Sequence, residues 1–206
     1  MFGQDNAISI FASGYFQSEL RKITDKTSRK PKATYLFAGP PGVGKTFLAE
    51  QAAEILDLPF MRFDMSEFSE RESIMELVGT NKSFKGDKEG SLTGFVENNP
   101  NCVLLFDEIE KANIAVIHLF LQVLDAGRLR DTNSAKEVDF SQTVIIFTTN
   151  AGIDGRCPIS VVRILNYIVN RMRLEAIFPS LKICVVILDN LLVTRKAIRL
   201  KSGYQK

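Results

Sequence analysis

Apolar and polar positions alternate along this chain with two different periods. Over residues 6–23, Ala7, Ile8, Ile10, Phe11, Phe16, Leu20 and Ile23 recur at the three-to-four spacing of a helix. A polar linker, TDKTSRKPK, follows. ATYLFAG (33–39) is then a short apolar run closed by Gly-Pro-Pro-Gly, which reads as a buried strand entering a loop. TFLAEQAAEILD (46–57) returns to helical spacing, with Phe47, Leu48, Ala52, Ile55 and Leu56 on one side. PFMRFDM (59–65), CVLLFDE (102–108) and TVIIFTTN (143–150) read as further strands. Residues 68–78 and 112–126 are predicted as helices, the second closed by Gly127, with a Gly- and Lys-rich loop over 79–91. No internal repeat is present.

Strands that are apolar throughout and separated by helices predict a parallel sheet covered on both faces, a three-layer α/β fold. In such sheets ligands sit beyond the carboxyl ends of the strands. Gly39–Thr46, Asp107–Glu108 and Asn150 all fall at such ends, so the candidate chemistry converges on one edge.

Composition narrows the class. The 206 residues are 45% hydrophobic and 24% charged with mean hydropathy +0.02, an ordinary globular balance. With 13 glycines and 7 prolines, collagen-like and low-complexity character are excluded. There is no run of apolar residues long enough for a transmembrane helix, so no membrane association is expected. The opening MFGQDNAISI lacks the basic and apolar regions of a signal peptide. Three cysteines (Cys102, Cys157, Cys184), two of them in apolar runs, predict buried thiols in a reducing cytoplasm. The net charge of +2 is unevenly spread. Residues 1–156 carry 17 Lys+Arg and 22 Asp+Glu, whereas 157–206 carry 9 and 2. Such a break marks either a basic binding tail or a segment of different origin.

Two motifs carry chemistry. Gly39-Pro40-Pro41-Gly42-Val43-Gly44-Lys45-Thr46 fits G-x-x-x-x-G-K-[ST] in full, between a predicted strand and a predicted helix. Its glycines let backbone N–H groups approach a phosphate, and the following helix offers its positive end. Lys45 would reach the β- and γ-phosphates and Thr46 would ligate Mg²⁺. Asp107 and Glu108 end an apolar strand. Taken alone, such a pair reads as a strand ending in solvent. Beside a phosphate loop, Asp107 is suited to hold the metal through water and Glu108 to activate a water for attack. A hydrolytic Glu beside the metal Asp favours an ATPase over a kinase. Asn150 reads equally as an Asx cap after its strand or as a hydrogen-bond partner of the γ-phosphate or attacking water.

In this order, the pieces resemble an AAA+ ATPase, a P-loop NTPase fold, and more narrowly the second nucleotide-binding module of the Clp unfoldases and disaggregases. The resemblance rests on FGQDNAI (2–8), LFAGPPGVGKTFLAE (36–50), FDMSEFSERESIMELVG (63–79), EGSLTGFVENNPNCVLLFDEIEKAN (89–113), LFLQVLDAGRLRD (119–131) and VDFSQTVIIFTTNAG (138–152). It covers about residues 2–152. It implies an adenine pocket lined by Gly3–Ile8, with Gly3, Gln4 and Ile8 as contacts. It further implies ATP or ADP on residues 39–46 and Phe47, Mg²⁺ on Thr46 and Asp107, and catalytic roles for Lys45, Glu108 and Asn150. Activity would be ATP hydrolysis driving polypeptide threading through a homo-hexameric ring.

The family's substrate-gripping loop corresponds to TNKSFKGDKEG (80–90), with Phe84 in the aromatic place. This loop lacks the family's two prolines, and a Phe in a polar loop also reads as an anchor packed on its own domain. His118 is read as structural or exposed, and Arg128 and Arg130 as a solvated helix end. After Gly152 the resemblance fades. Residues 158–176 are expected as a helix and 182–191 as a fifth strand. That register puts the arginine finger near Leu181–Lys182, where no arginine stands, with Arg171 and Arg173 upstream. The expected organisation is one large α/β subdomain (1–191), a poorly ordered tail (192–206) and no helical lid. Weak self-association and low turnover are expected, and the alternative is a truncated module that holds nucleotide without turnover. A nucleic-acid-associated role has no motif behind it beyond the basic tail, and no nucleic-acid partner is expected.

Overall fold

A computed structural model describes residues 5–25, 27–80 and 88–150, together with the backbone of 184–187. Five strands form one sheet in the order β2–β3–β6–β1–β7, every pairing parallel: β1 (Ala33–Ala38), β2 (Phe60–Asp64), β3 (Val103–Asp107), β6 (Val144–Thr149) and β7 (Cys184–Ile187). The central strand β6 pairs Ala33 with Val144 on one side and Val103 with Val144 on the other, so the ends of β1, β3 and β6 finish level.

Alternate residues of each strand face opposite cores, which is why these strands are apolar throughout. Leu36, Leu104, Phe106, Ile145 and Phe147 face a core completed by α3 (Ile74–Val78), α4 (Ser91–Asn98) and α5 (Ile114–Ala126). That core is aromatic: Phe106 lies 4.2 Å from Phe120 and 5.4 Å from Phe147, centroid to centroid. Tyr35, Phe37, Val103, Leu105, Val144 and Ile146 face the other core, closed by α1 (Asp5–Thr24) and α2 (Lys45–Ile55). Here α2 contributes Ala49, Ala52 and Ala53, small enough to seat the helix close on the sheet. Of the apolar positions that mark α1 in the sequence, Ala7 and Phe11 are buried, whereas Phe16, Leu20 and Ile23 are exposed.

Three local features differ from the sequence-based expectation. The helix expected over 68–78 is confined to Ile74–Val78. Ahead of it, Asp64 accepts hydrogen bonds from Ser66 N–H (2.9 Å) and Ser66 Oγ (2.6 Å), a local turn that competes with helix and plants Phe68 in the core. Helix α4 falls in a stretch that carried no prediction. Arg128 and Arg130 are exposed but lie on a short strand β4 (Arg128–Arg130), antiparallel to β5 (Glu137–Asp139), rather than on a helix end. Arg128 there pairs with Glu137 at 2.8 Å. The helix before it starts at Ile114 because Asn113 caps Ala115 N–H at 3.0 Å, and it ends at the left-handed Gly127. His118 is exposed. Among the described residues no helix is long and apolar enough to cross a membrane. Gly3, Gln4, Phe84, the expected helix 158–176, Arg171, Arg173, the finger position and the tail lie outside the described residues.

Candidate functional site

The site is built at the level carboxyl ends of β1, β3 and β6. As β1 ends, Gly39 N–H donates to Thr149 O (3.3 Å), tying the start of the 39–46 loop to β6. Gly42 and Gly44 adopt left-handed backbone (φ +81° and +91°), and Gly44 is the N-cap of α2. A Cβ added at Gly42 would meet nothing within 4 Å, so the loop is open there. Pro41, Gly42 and Phe47 are exposed, Gly39 is buried, and Pro40, Val43, Gly44 and Thr46 are half-buried. Lys45, the first residue of α2, is buried and folds back over the loop. Its ammonium donates to Gly39 O (2.8 Å), Pro40 O (2.8 Å) and Asn150 Oδ1 (2.7 Å). Burial pushes its pKa below the usual lysine value, and the charges of Asp107, Glu110 and Glu108 oppose that shift.

The acids at the end of β3 diverge. Asp107 is buried and stays in the strand's line. Its carboxylate accepts Thr46 Oγ1 (3.0 Å to Oδ2 and 3.3 Å to Oδ1), accepts the hydroxyl of Thr148, and pairs with Arg62 Nη2 at 2.6 Å. Glu108 turns out of line with a left-handed backbone (φ +56°, ψ +52°), a conformation uncommon for a residue with a side chain. Its N–H donates to Thr148 Oγ1 (2.9 Å), and its carboxylate lies between Lys111 and Asn150 Nδ2 (2.8 Å). The Asn150 side chain therefore bridges Lys45 and Glu108 across two elements rather than capping its own strand.

Thr46 and Asp107 supply two hard oxygen donors from different elements within hydrogen-bond distance of each other, a set that fits Mg²⁺. Among the described residues no cluster of three or more His, Cys, Asp or Glu side chains is arranged to hold a metal ion. A cation there would share its shell with phosphate oxygens and water, as Mg²⁺ does. The open space at Gly42 and the inward ammonium of Lys45 fit a phosphate chain beside it.

Residues 30–157, well over half of the chain, match the family described as AAA domain (Cdc48 subfamily). The chain belongs to the AAA family. A ClpA homolog protein of Fuscovulum blasticum is 42% identical over 153 residues, 74% of this chain and 19% of that protein. Chaperone protein ClpB of Clostridium perfringens is 44% identical over 156 residues, 74% of this chain and 18% of that protein. The ATP-dependent Clp protease ATP-binding subunit ClpE of Streptococcus pneumoniae is 42% identical over 165 residues, 78% of this chain and 21% of that protein. The chain is thus a Clp-type AAA+ module and spans about a fifth of the length of these curated relatives.

Several residues of the AAA site carried no sequence signal. Thr148 joins Asp107 to the Glu108 main chain, Arg62 reaches Asp107 from the neighbouring strand β2, and Glu110 accepts Asn150 N–H at 3.0 Å. Arg62 reaches Asp107 because β2 and β3 pair in register with Arg62 beside Leu105. The described residues on either side of 81–87 meet each other and the hairpin β4–β5. Thr80 N–H donates to Lys88 O (3.0 Å), Asn133 Nδ2 to Thr80 O (3.1 Å) and Thr132 N–H to Val78 O (2.7 Å). Below them the buried Asp131 accepts Thr93 Oγ1 (2.5 Å) and Ser134 N–H (2.7 Å), which hold its carboxyl below the usual range against the cost of burial. Ile8, on the first turns of α1, is exposed at 38%.

Proposed function

We propose that this AAA module binds Mg·ATP and hydrolyses it. The observation that carries the reading is the Asn150 amide, which links the phosphate-loop Lys45 to the β3 acid Glu108 at 2.7 and 2.8 Å. One side chain thereby joins a group suited to hold a γ-phosphate to a group suited to hold a water. Bound nucleotide supplies the phosphoanhydride that is cleaved, and Mg²⁺ the charge that steadies it. Lys45 exchanges its loop carbonyls for phosphate oxygens, and Thr46 with Asp107 holds the metal. Glu108 accepts the proton of the attacking water while Asn150 orients it. Gly3, Gln4 and Ile8 contact the adenine in this reading, and Gly39–Gly44 and Phe47 flank the phosphates.

By analogy with the ClpB and ClpE relatives, such a module would act in an ATP-dependent chaperone, as a hexameric ring in an intact relative, with Phe84 gripping polypeptide. A cytoplasmic setting belongs to the same reading and is supported by the buried free thiol of Cys102. A second reading, a module that holds nucleotide with little turnover and self-associates weakly, is favoured by the absence of an arginine at Leu181–Lys182.

Thermal unfolding with and without ATP tests the binding step. Nucleotide at a hundredfold its Kd should stabilise the parent by about 2.7 kcal/mol, and Lys45→Ala should lose that gain. Equal shifts in parent and variant would refute the assignment. Phosphate release by the parent, followed against protein concentration, separates hydrolysis from the second reading.

A further inference from the structure

The 3₁₀ turn Ile109–Lys111 buries Ile109 in the aromatic core and returns the next residue, Glu110, toward β6. Glu110 Oε1 accepts the main-chain N–H of Asn150 at 3.0 Å. Glu110 Oε2 is buried and has no hydrogen-bond partner among the described residues. A buried carboxylate oxygen without a donor is costly, and replacing it by an apolar group would ordinarily relieve that cost. Some other demand on this side chain therefore favours a side-chain acceptor of this reach at this position.

Asn150 makes that demand. The β1–β6 ladder ends at Thr149, one residue earlier, so the sheet does not fix Asn150 itself. Yet the Asn150 amide reaches Lys45 and Glu108 in opposite directions, a bridge that survives only if its Cα is held within a few tenths of an ångström. The Glu110 bond to Asn150 N–H supplies that restraint from the same turn that carries Glu108. The unusual backbone of Glu108 aims its own carboxylate at Asn150 Nδ2 and Glu110 at Asn150 N–H together.

We infer that Glu110 is a positioning residue: its carboxylate pins the main chain of Asn150 so that the Asn150 amide can join Lys45 to Glu108. The functional part of this inference rests on the proposed hydrolysis, whereas the geometric part does not. Two conservative variants of the full chain separate reach from charge. Glu110→Asp keeps the charge and withdraws the oxygen, and Glu110→Gln keeps an acceptor at the same reach. The readouts are the Asn150 backbone amide resonance and its exchange protection by NMR, and kcat and KM for ATP.

Glu110→Asp should move the Asn150 amide upfield, lower its protection and reduce kcat by about tenfold to a hundredfold with KM unchanged, the scale of a lost charged hydrogen bond. Glu110→Gln should keep the amide near its parental position and recover most of kcat. An unmoved Asn150 amide in Glu110→Asp, or a Glu110→Gln variant as impaired as Glu110→Asp, would overturn the inference. If the parent shows no turnover, the proposed hydrolysis fails while the amide resonance still decides whether Glu110 holds Asn150.

Discussion

Gly42 and Gly127 share a left-handed backbone (φ +81° and +65°) and stand at opposite ends of the same sheet. A Cβ at Gly42 would meet nothing within 4 Å, whereas one at Gly127 would lie 1.6 Å from the carbonyl oxygen of Arg29. Gly127 closes α5 through Val123 O and accepts Phe140 N–H (2.8 Å each), just where Lys32 N–H meets Thr143 O at the amino ends of β1 and β6. Glycine there lets two backbones touch. At the carboxyl end the same conformation faces open space instead. Fold integrity and chemistry are therefore spatially divided, and substitutions at the two ends should fail in different assays.

The largest effect belongs to the open end. Glu108→Gln should lower phosphate release by about 10²–10⁴, the range of a lost general base, and keep nucleotide affinity. Affinity lost as completely as in Lys45→Ala would show that Glu108 serves binding. Next, Gly127→Ala at the closed end should cost about 3 kcal/mol in denaturant unfolding, because left-handed strain and overpacking add. It should also expose Cys102, a fully buried thiol whose burial pushes its pKa up to about 12. Peptide mapping after alkylation should find Cys102 unmodified in the folded parent and modified in this variant.

Gly42→Ala should cost only about 1 kcal/mol of stability, from strain without a clash, while weakening nucleotide binding. A stability loss matching that of Gly127→Ala would erase the distinction between the two ends. The smallest effect concerns neither end but the connection between β4 and β5. The carboxyl of Asp131 is depressed below 3.8, so its stabilisation is complete above that pH and is lost as pH falls through its folded-state value. Unfolding free energies measured below pH 4 should decline less steeply for Asp131→Asn than for the parent.

The open end was mostly legible in the sequence because its geometry is local. Gly39–Thr46 places glycines, ammonium and hydroxyl within eight consecutive residues, and the strands beside it are apolar on both faces. Glu110 was not legible, since its role depends on the backbone of Glu108 and on Asn150, forty residues away. Arg62 meets Asp107 only because β2 and β3 are neighbours. Helix α4 was missed for a different reason. Gly94 sits in its middle, a poor helix former, and a Cβ there would fall 2.7 Å from the side chain of Glu89. The β4–β5 strands bury one residue each, Leu129 and Val138, too short a pattern to detect.

The ion pair between Arg62 and Asp107 bears on how a nucleotide arrives. Around the site Asp107, Glu108 and Glu110 face Lys45, Arg62 and Lys111, charge against charge, and Asp64 beside Arg62 and Lys111 adds one more negative group. The described charges here sum to slightly negative, and two of the three cations, Arg62 and Lys111, are already paired with carboxylates. Among the described residues, these local charges offer no net attraction to a polyanion approaching from beyond a Debye length, about 8 Å at physiological ionic strength. Capture would begin only on contact, by swapping counter-ions, with the accompanying divalent cation relieving Arg62 of Asp107. Rising salt should accordingly leave the association rate of nucleotide flat or slightly faster, the reverse of an electrostatically steered encounter.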